Sequence, residues 1–328
     1  MENKKALALY FTAPEKVEIR EEELNPEEGG IFIESRLIGI SHGTEMVFFR
    51  GELSQGIEAD LSISSLPGKL DYPIKYGYIN TGITESGRRI FAFYPHQDKF
   101  YINREDLIDV PPDMKFEDAV FLASMETALN IVLDAAPRFG ENILIIGQGV
   151  VGLLVSEILK LSHMGNIITL EPFEKRRKSS ARIGCISLSP FDKKVEKKIG
   201  DLTDGRGVDI AINLSSTESG LQFAIDTLAF QGTVVEASWF GAKSVSLSLG
   251  SNFHRKRVTI KSSQVSTIDQ SIAGRWDKKR RLNLTLDLLK KIKPAKYITH
   301  RIKLADAQKA FEMLKSNPEE TIQIVLEP

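Results

Sequence analysis

Residues 141–162 read ENILIIGQGVVGLLVSEILKLS. The run NILII has the length and unbroken apolar character of a buried strand, and VGLLVSEILKLS spaces its apolar residues as a helix does. Between them Gly147, Gln148, Gly149, Val150, Val151 and Gly152 satisfy G-x-G-x-x-G. A glycine at the first position permits a tight turn, at the second it admits a pyrophosphate, and at the third it lets helix and strand pack closely. A helix that starts there presents unsatisfied N–H groups to an anion. The next apolar run, NIITL, ends in Glu171, 19 residues after Gly152. That offset is close to the ~20 residues at which an acid takes the ribose hydroxyls of a dinucleotide. Glycine loop and acid together predict a dinucleotide cofactor, NAD(H) favoured over NADP(H), because an anion there repels a 2′-phosphate. Lys175, Arg176 and Arg177 follow closely and can moderate that repulsion, although such a run reads first as a solvated helix face. The plain alternative for the motif is a strand-to-helix turn with no ligand.

Working outward, VDIAINLS, GTVVEAS and RVTIKSS are further buried-strand runs, and GLQFAIDTLA is a helical stretch between two of them. Strands alternating with helices predict an α/β fold with a doubly wound parallel sheet. Ser215 and Ser238, which close VDIAINLS and GTVVEAS, join the expected cofactor-binding set. Upstream of Lys115 the rhythm differs. ALALYF, KVEIREEEL, GIFIESRLIGIS, YPIKYGYINTGI, RRIFAFY and KFYINRE are short segments punctuated by turn residues, as in a β-rich domain. One amphipathic helix is expected over FEDAVFLASMETALNIVLDAA, before Pro137. Beyond Asp269, KKRRLNLTLDLLKK and ADAQKAFEMLKSN read as helices and TIQIVLE as a strand. The expected division is a dinucleotide-binding domain over 119–268 and a β-rich domain formed by 1–118 with 269–328. Residues 54–68 are expected to form a mobile loop, and no internal repeat is evident.

At 328 residues the chain is long enough for two cores. Lys+Arg of 43 against Asp+Glu of 44 leaves no basic excess, which argues against nucleic acid as a partner. The N-terminal apolar run is too short for a signal peptide, and no apolar stretch is long enough to cross a bilayer, so a cytoplasmic location is expected. The single cysteine, Cys185, excludes an internal disulfide and reads as a small buried residue.

The segments GISHGTE (39–45), YGYINTG (76–82), GRRIFAFYPHQ (87–97), SMETALNIVLDA (124–135), GQGVVG (147–152), LTDGRGVDIAIN (202–213) and QGTVVEASWFG (231–241) occur in an order that resembles the medium-chain dehydrogenase/reductase superfamily, of zinc-type alcohol dehydrogenase-like kind. The resemblance covers nearly the whole chain. It implies a Rossmann domain beside a GroES-like catalytic domain. FHRKRVTIKSSQVSTID and RWDKKRRL look like a bacterial and archaeal group of zinc-binding dehydrogenases, and the N-terminal half also resembles bacteriochlorophyllide dehydrogenases.

Zinc enzymes of that superfamily carry Cys-Gly-Thr-Asp, Gly-His-Glu and a third Cys or Glu ligand. Here His42-Gly43-Thr44-Glu45 matches the first with His for Cys, Gly77-Tyr78-Ile79 departs from the second at both functional positions, and Glu126 stands at the third. A catalytic zinc takes three protein ligands. At most two survive, so a site with degenerate zinc ligands and no zinc is expected; the rival is a remodelled site of His42, Glu126 and His96. By family position Thr44 stands at the proton-relay hydroxyl and Tyr78 where a ligand histidine usually is. Hydride transfer to a carbonyl builds charge on oxygen, so Thr44, Tyr78, His42 and Glu126 become the candidate catalytic residues. The structural alternatives are a helix cap for Thr44, a pocket wall for Tyr78, a turn residue for His42, an exposed loop histidine for His96 and a partnered carboxylate for Glu126.

The resulting expectation is an NAD(H)-dependent oxidoreductase acting on the alcohol/carbonyl pair of a small or biosynthetic substrate, or, second, on an activated double bond. A dinucleotide-binding sensor or partner protein without catalysis is the alternative from another class. The basic run Arg275, Trp276, Lys278, Lys279, Arg280 and Arg281 reads as a solvated helix start, with Arg275 and Trp276 as candidates to hold an anionic or planar substrate. A homodimer is expected through VTIKS or VSLSL.

Overall fold

The computed structural model describes residues 4–25, 29–53, 56, 58–60, 63–66 and 68–328. Of the expected 54–68 loop, residues 54, 55, 57, 61, 62 and 67 therefore lie outside the described residues. In chain order the strands are β1 (Lys5–Ala13), β2 (Lys16–Glu23), β3 (Ile31–Gly39), β4 (Ile74–Lys75), β5 (Asn80–Thr84), β6 (Arg89–Ala92), β7 (Lys99–Ile102), β8 (Leu107–Asp109), β9 (Ile143–Ile146), β10 (Ile167–Leu170), β11 (Ile186–Leu188), β12 (Val208–Asn213), β13 (Leu228–Glu236), β14 (Thr259–Ser262), β15 (Ile298–Lys303) and β16 (Gln323–Glu327). The chain forms two compact units: residues through Ala123 with Leu289–Pro328, and Ser124–Leu288. The stretch from Asp269 to Leu288, expected to return to the β-rich domain, belongs to the second unit.

In the Ser124–Leu288 unit the described strands form one parallel sheet in the order β11-β10-β9-β12-β13-β14. Its central strand β9 is apolar along its whole length, as a strand covered by helices on both faces requires. Leu144, Ile168, Ala211 and Val234 are fully buried. The chain runs one way from β9 to β10 and β11 and the other way to β12, β13 and β14. The C-terminal end of β9 is thus the switch point at which such sheets hold ligands. Cys185 is buried here, and burial pushes its thiol up.

The other unit holds a described seven-stranded sheet, β15-β16-β3-β5-β6-β8 with β7 paired to β3, and a three-stranded sheet β2-β1-β4. In β7 the buried Phe100 and Ile102 alternate with half-buried residues, as a strand with one wet face requires, whereas β6 and β16 are buried nearly throughout. Phe11, Phe48, Phe49 and Phe311 meet in its core, with Phe11 edge-on to Phe311 at 5.1 Å. Each such ring contributes about 1.5–3 kcal/mol by burial. This α/β doubly wound Rossmann sheet with a β-rich GroES-like unit is the fold that the sequence predicted.

Local differences have local causes. The helix expected after Lys115 is two, Phe116–Ala119 and Leu122–Ala135, separated by a tight turn in which Phe121 N–H bonds the Asp118 carbonyl at 3.2 Å. It stops at Ala136, whose φ is +45°, before Pro137, where a following proline disfavours the helix. VTIKS supplies β14, but VSLSL forms no strand. The N–H groups of Ser246 and Ser248 go to the side chains of Glu218 and Gln222, at 2.9 and 2.8 Å, instead of to a neighbouring strand. Among the described residues no helix is long and apolar enough to cross a membrane.

Candidate functional site

The glycine loop leaves β9 through Gly147, whose φ of +95° is open to glycine and strained for other residues. A Cβ at Gly147 would stand 3.0 Å from the Leu214 carbonyl oxygen, and one at Gly152 would collide with the Gly147 carbonyl. The second glycine is different: a Cβ at Gly149 would meet only the Arg176 guanidinium, 4.0 Å away. So the first and third glycines are demanded by packing, whereas the second leaves an open cradle. The helix Val150–Lys160 begins there with no side-chain cap. Like any helix start it leaves the N–H groups of Val150, Val151 and Gly152 outside the helical ladder, where an anion fits. Gln148 points inward; its amide oxygen accepts from Ser156 Oγ at 3.1 Å.

Glu171 follows β10 as expected but turns its carboxylate inward. It is 2% exposed. Oε2 accepts the Gln148 N–H at 2.7 Å and Oε1 the Phe173 N–H at 3.0 Å, so the acid ties the glycine loop to the end of β10. The basic run beyond it is not a uniformly solvated face. Arg176 lies over the Phe173 ring at 5.0 Å, and Arg177 Nη1 donates to the Glu171 carbonyl at 2.8 Å.

At the ends of β12 and β13 four side chains come together. Asn213 Nδ2 donates to Glu236 Oε2 at 2.6 Å, Ser215 Oγ donates to Asn213 Oδ1 at 2.8 Å, and Ser238 Oγ accepts the Ser216 N–H at 3.0 Å. Burial pushes the Glu236 carboxyl up, against the hydrogen bonds from Asn213 and Ser238 that favour its charged form. Glycine loop, Glu171, Ser215 and Ser238 therefore all stand at or near the C-terminal edge of one sheet. Asn213 and Glu236 were missed from sequence because polar residues at the end of an apolar run look like the run's boundary.

Glu126 lies in the same unit and is partnered. Arg281 Nε donates to Glu126 Oε1 at 3.1 Å, Nη1 to Asn130 Oδ1 at 2.5 Å and Nη2 to the Val265 carbonyl at 2.6 Å. Arg281 is 2% exposed, which corrects the solvated reading of its basic run at that one residue, while Arg275, Lys278, Lys279 and Arg280 are exposed. A cation this deep is tolerated because every face of its fork is bonded. Arg280 lies over the Trp276 ring at 4.3 Å, so that ring is engaged within its own segment.

In the other unit, the helix His42–Arg50 follows β3 directly. Thr44 sits inside its first turn and is no cap. His42 Nε2 accepts the N–H of Ile324 at 3.2 Å. The Tyr78 hydroxyl donates to Ser41 Oγ and stands 3.4 Å from Thr44 Oγ1. Burial is the main cause that pushes the Tyr78 hydroxyl up, so it stays protonated across the physiological range. Behind this cluster, His96 is fully buried, not an exposed loop residue, and its Nε2 meets Glu45 Oε2 at 2.7 Å. Ser41, Glu45 and Arg281 were given no site role; Ser41 and Glu45 lie within the quoted GISHGTE segment, and Arg281 was hidden among like residues.

Zinc takes unprotonated imidazole, thiolate or carboxylate. The His42 Nε2 lone pair faces a backbone N–H, Tyr78 keeps its proton, and Glu126 is held by a guanidinium. Among the described residues of either unit, no three His, Cys, Asp or Glu side chains converge as a metal set. His42, Tyr78 and Glu126 are thus each engaged with a protein partner of their own unit. The dinucleotide fits better, since Gly149 leaves open room beside uncapped N–H groups.

Residues 150–278 match a family described as zinc-binding dehydrogenase. The chain is 25% identical over 263 residues to D-guloside 3-dehydrogenase of Escherichia coli K12, covering 73% of this chain and 75% of that protein. It is 30% identical over 213 residues to L-threonine 3-dehydrogenase of Pyrococcus furiosus, covering 63% and 56%. The crystal structure of 2R,3R-butanediol dehydrogenase from Bacillus subtilis superposes with a TM-score of 0.80 over 98% of this chain and 99% of that one, at 21% identity. The fold is that of the medium-chain dehydrogenases/reductases, and these likenesses are to zinc-type dehydrogenases of that superfamily, for which a nicotinamide dinucleotide is the typical cofactor.

Proposed function

We propose that this dehydrogenase interconverts an alcohol and a carbonyl on a small or biosynthetic substrate, with NAD(H) as cofactor and with hydroxyl groups in place of a catalytic zinc. The observation that carries the reading is the Tyr78 hydroxyl bonded to Ser41 and close to Thr44 at positions where the superfamily's zinc enzymes place a metal ligand and a relay hydroxyl. A nicotinamide dinucleotide supplies the hydride donor or acceptor. Gly149 and the N–H groups of Val150, Val151 and Gly152 cradle its pyrophosphate, while Ser215 and Ser238 offer hydrogen bonds farther along the same sheet edge. When a carbonyl gains hydride, negative charge appears on its oxygen; Tyr78 would turn its one O–H from Ser41 to that oxygen and pass on its proton, which the hydroxyl of Ser41 or Thr44 would return to Tyr78. His42, held by Ile324, flanks this cluster.

NAD(H) is favoured because Glu171 closes the loop at the ribose end with an anion. The carboxylate's inward bonds and the guanidinium of Arg176 weaken that preference, so NADPH binding of lower affinity is expected too. The inward pairing of Glu126 with Arg281 supports a zinc-free site over the remodelled one of His42, Glu126 and His96. The hydroxyls of the cluster favour catalysis over a sensor that has lost it. We further propose a cytoplasmic homodimer paired through β14, whose Ile260 is exposed.

Titrating the purified protein with NADH and NADPH, measuring its metal content and assaying a panel of simple alcohols and aldehydes tests the reading. Binding of neither nucleotide removes it. One zinc per chain removes the zinc-free version, and turnover unchanged in Tyr78→Phe removes the hydroxyl mechanism.

A further inference from the structure

Glu45 and His96 are 51 positions apart, and both side chains are wholly buried, bonded to each other at 2.7 Å. A buried pair of this kind adds little net stability over apolar residues of the same volume. What it touches is therefore informative. The second oxygen of Glu45, Oε1, accepts the N–H of Ser41 at 2.7 Å. The His96 ring packs against Gly77, so tightly that a Cβ there would overlap it, and Gly77 holds a φ of +119°. Gly77 immediately precedes Tyr78. The pair thus grips the backbone beside both partners of the Tyr78–Ser41 hydrogen bond, one through a hydrogen bond to Ser41 and one through contact with Gly77.

We propose that Glu45 and His96 are positioning residues that set the separation of the Tyr78 and Ser41 hydroxyls, an inference that rests on the hydroxyl reading of the site. Neither touches the reacting atoms. With the Nε2 proton directed at Glu45, Nδ1 of His96 keeps only a lone pair in a buried place where no partner is found among the described residues; an N–H left there unpaired costs more. Glu45 then accepts from both sides, and loss of either bond frees one wall of the cluster. Preorganisation of this kind decides whether a donor is where the developing charge needs it.

The test uses full-length protein labelled with 13C at tyrosine Cζ, the Tyr78 signal being assigned by its disappearance in Tyr78→Phe. Glu45→Asp withdraws the carboxylate by one methylene, so it cannot hold both Ser41 and His96, and is expected to move the Tyr78 signal while the other tyrosines stay in place. Glu45→Gln keeps the reach but offers one acceptor in place of two, so it is expected to keep the Ser41 bond, lose the His96 bond and move the signal part of the way. A folded Glu45→Asp protein with an unmoved Tyr78 signal overturns the proposal. If Glu45→Asp loses its circular-dichroism spectrum, the wild type decides. One imidazole N–H among its five histidines is expected to exchange slowly with solvent, and fast exchange of all of them overturns the proposal. The hydroxyl reading fails separately, through unchanged turnover in Tyr78→Phe, and that result leaves the spectroscopic outcome standing.

Discussion

The glycine loop and the Tyr78 cluster are built from opposite materials. The loop is made of backbone: Gly147 and Gly152 are required because any Cβ would meet a carbonyl, and its polar groups are N–H groups that every residue owns. The cluster is made of side chains. Ser41, Thr44 and Tyr78 act through their hydroxyls, with the buried Glu45–His96 pair behind them. A site of the first kind preserves its cofactor while substrates change, and one of the second kind allows chemistry to be rewritten on a constant frame.

Four substitutions press on that contrast. The largest effect is expected from Arg281→Ala, which leaves Glu126 buried without its cation. A loss of about 3–5 kcal/mol is the usual result of breaking such a pair, read as a lowered urea midpoint. Double replacement of Glu126 and Arg281 by apolar residues should recover most of it; no recovery would mean the guanidinium acts mainly through Asn130 and the Val265 carbonyl. Next, Tyr78→Phe should lower turnover by roughly 10²–10³, the effect of removing one oxyanion donor, with NADH affinity unchanged in a fluorescence titration. If affinity falls as well, the two regions are less separable than their composition suggests. Gly152→Ala should show the opposite split, weakening NADH binding and lowering stability by about 1–3 kcal/mol through overpacking.

The smallest effect concerns pH. Glu236 has a folded carboxyl raised above its ordinary value of 4.5, chiefly by burial. Stability from the protonated form is complete below that value and is lost as pH rises through the raised one. Glu236→Gln should therefore lose less stability than the wild type as pH rises above 4.5, visible in urea midpoints measured on either side of that value. Equal slopes would show that the hydrogen bonds from Asn213 and Ser238 outweigh the burial.

How far each region could be read from sequence follows from the same contrast. G-x-G-x-x-G between a strand and a helix announces itself because steric demands on three residues leave few substitutes, and the parallel sheet follows from runs such as NILII that only double burial explains. Glu171 was found by its offset, but its inward turn was not, since the direction of a carboxylate depends on which N–H groups stand near it. The Glu45–His96 pair joins residues remote in sequence, and its histidine sits in a segment, YPHQ, with every local mark of an exposed loop. Arg281 illustrates the converse. One of four basic residues in a row of helix start is buried, and charge pattern alone does not say which. VSLSL has the alternation of a strand, yet helix side chains claim its N–H groups first.

Cys185 has a practical side. It is the chain's one thiol, it lies in the interior, and burial keeps it protonated at neutral pH, where alkylating and maleimide reagents need a thiolate. The native protein therefore comes with a nearly silent background for site-directed labelling. A cysteine placed on an exposed position of either unit can carry a fluorophore or spin label without first removing the native one, and a pair of them can act as a ruler for motion on nucleotide binding.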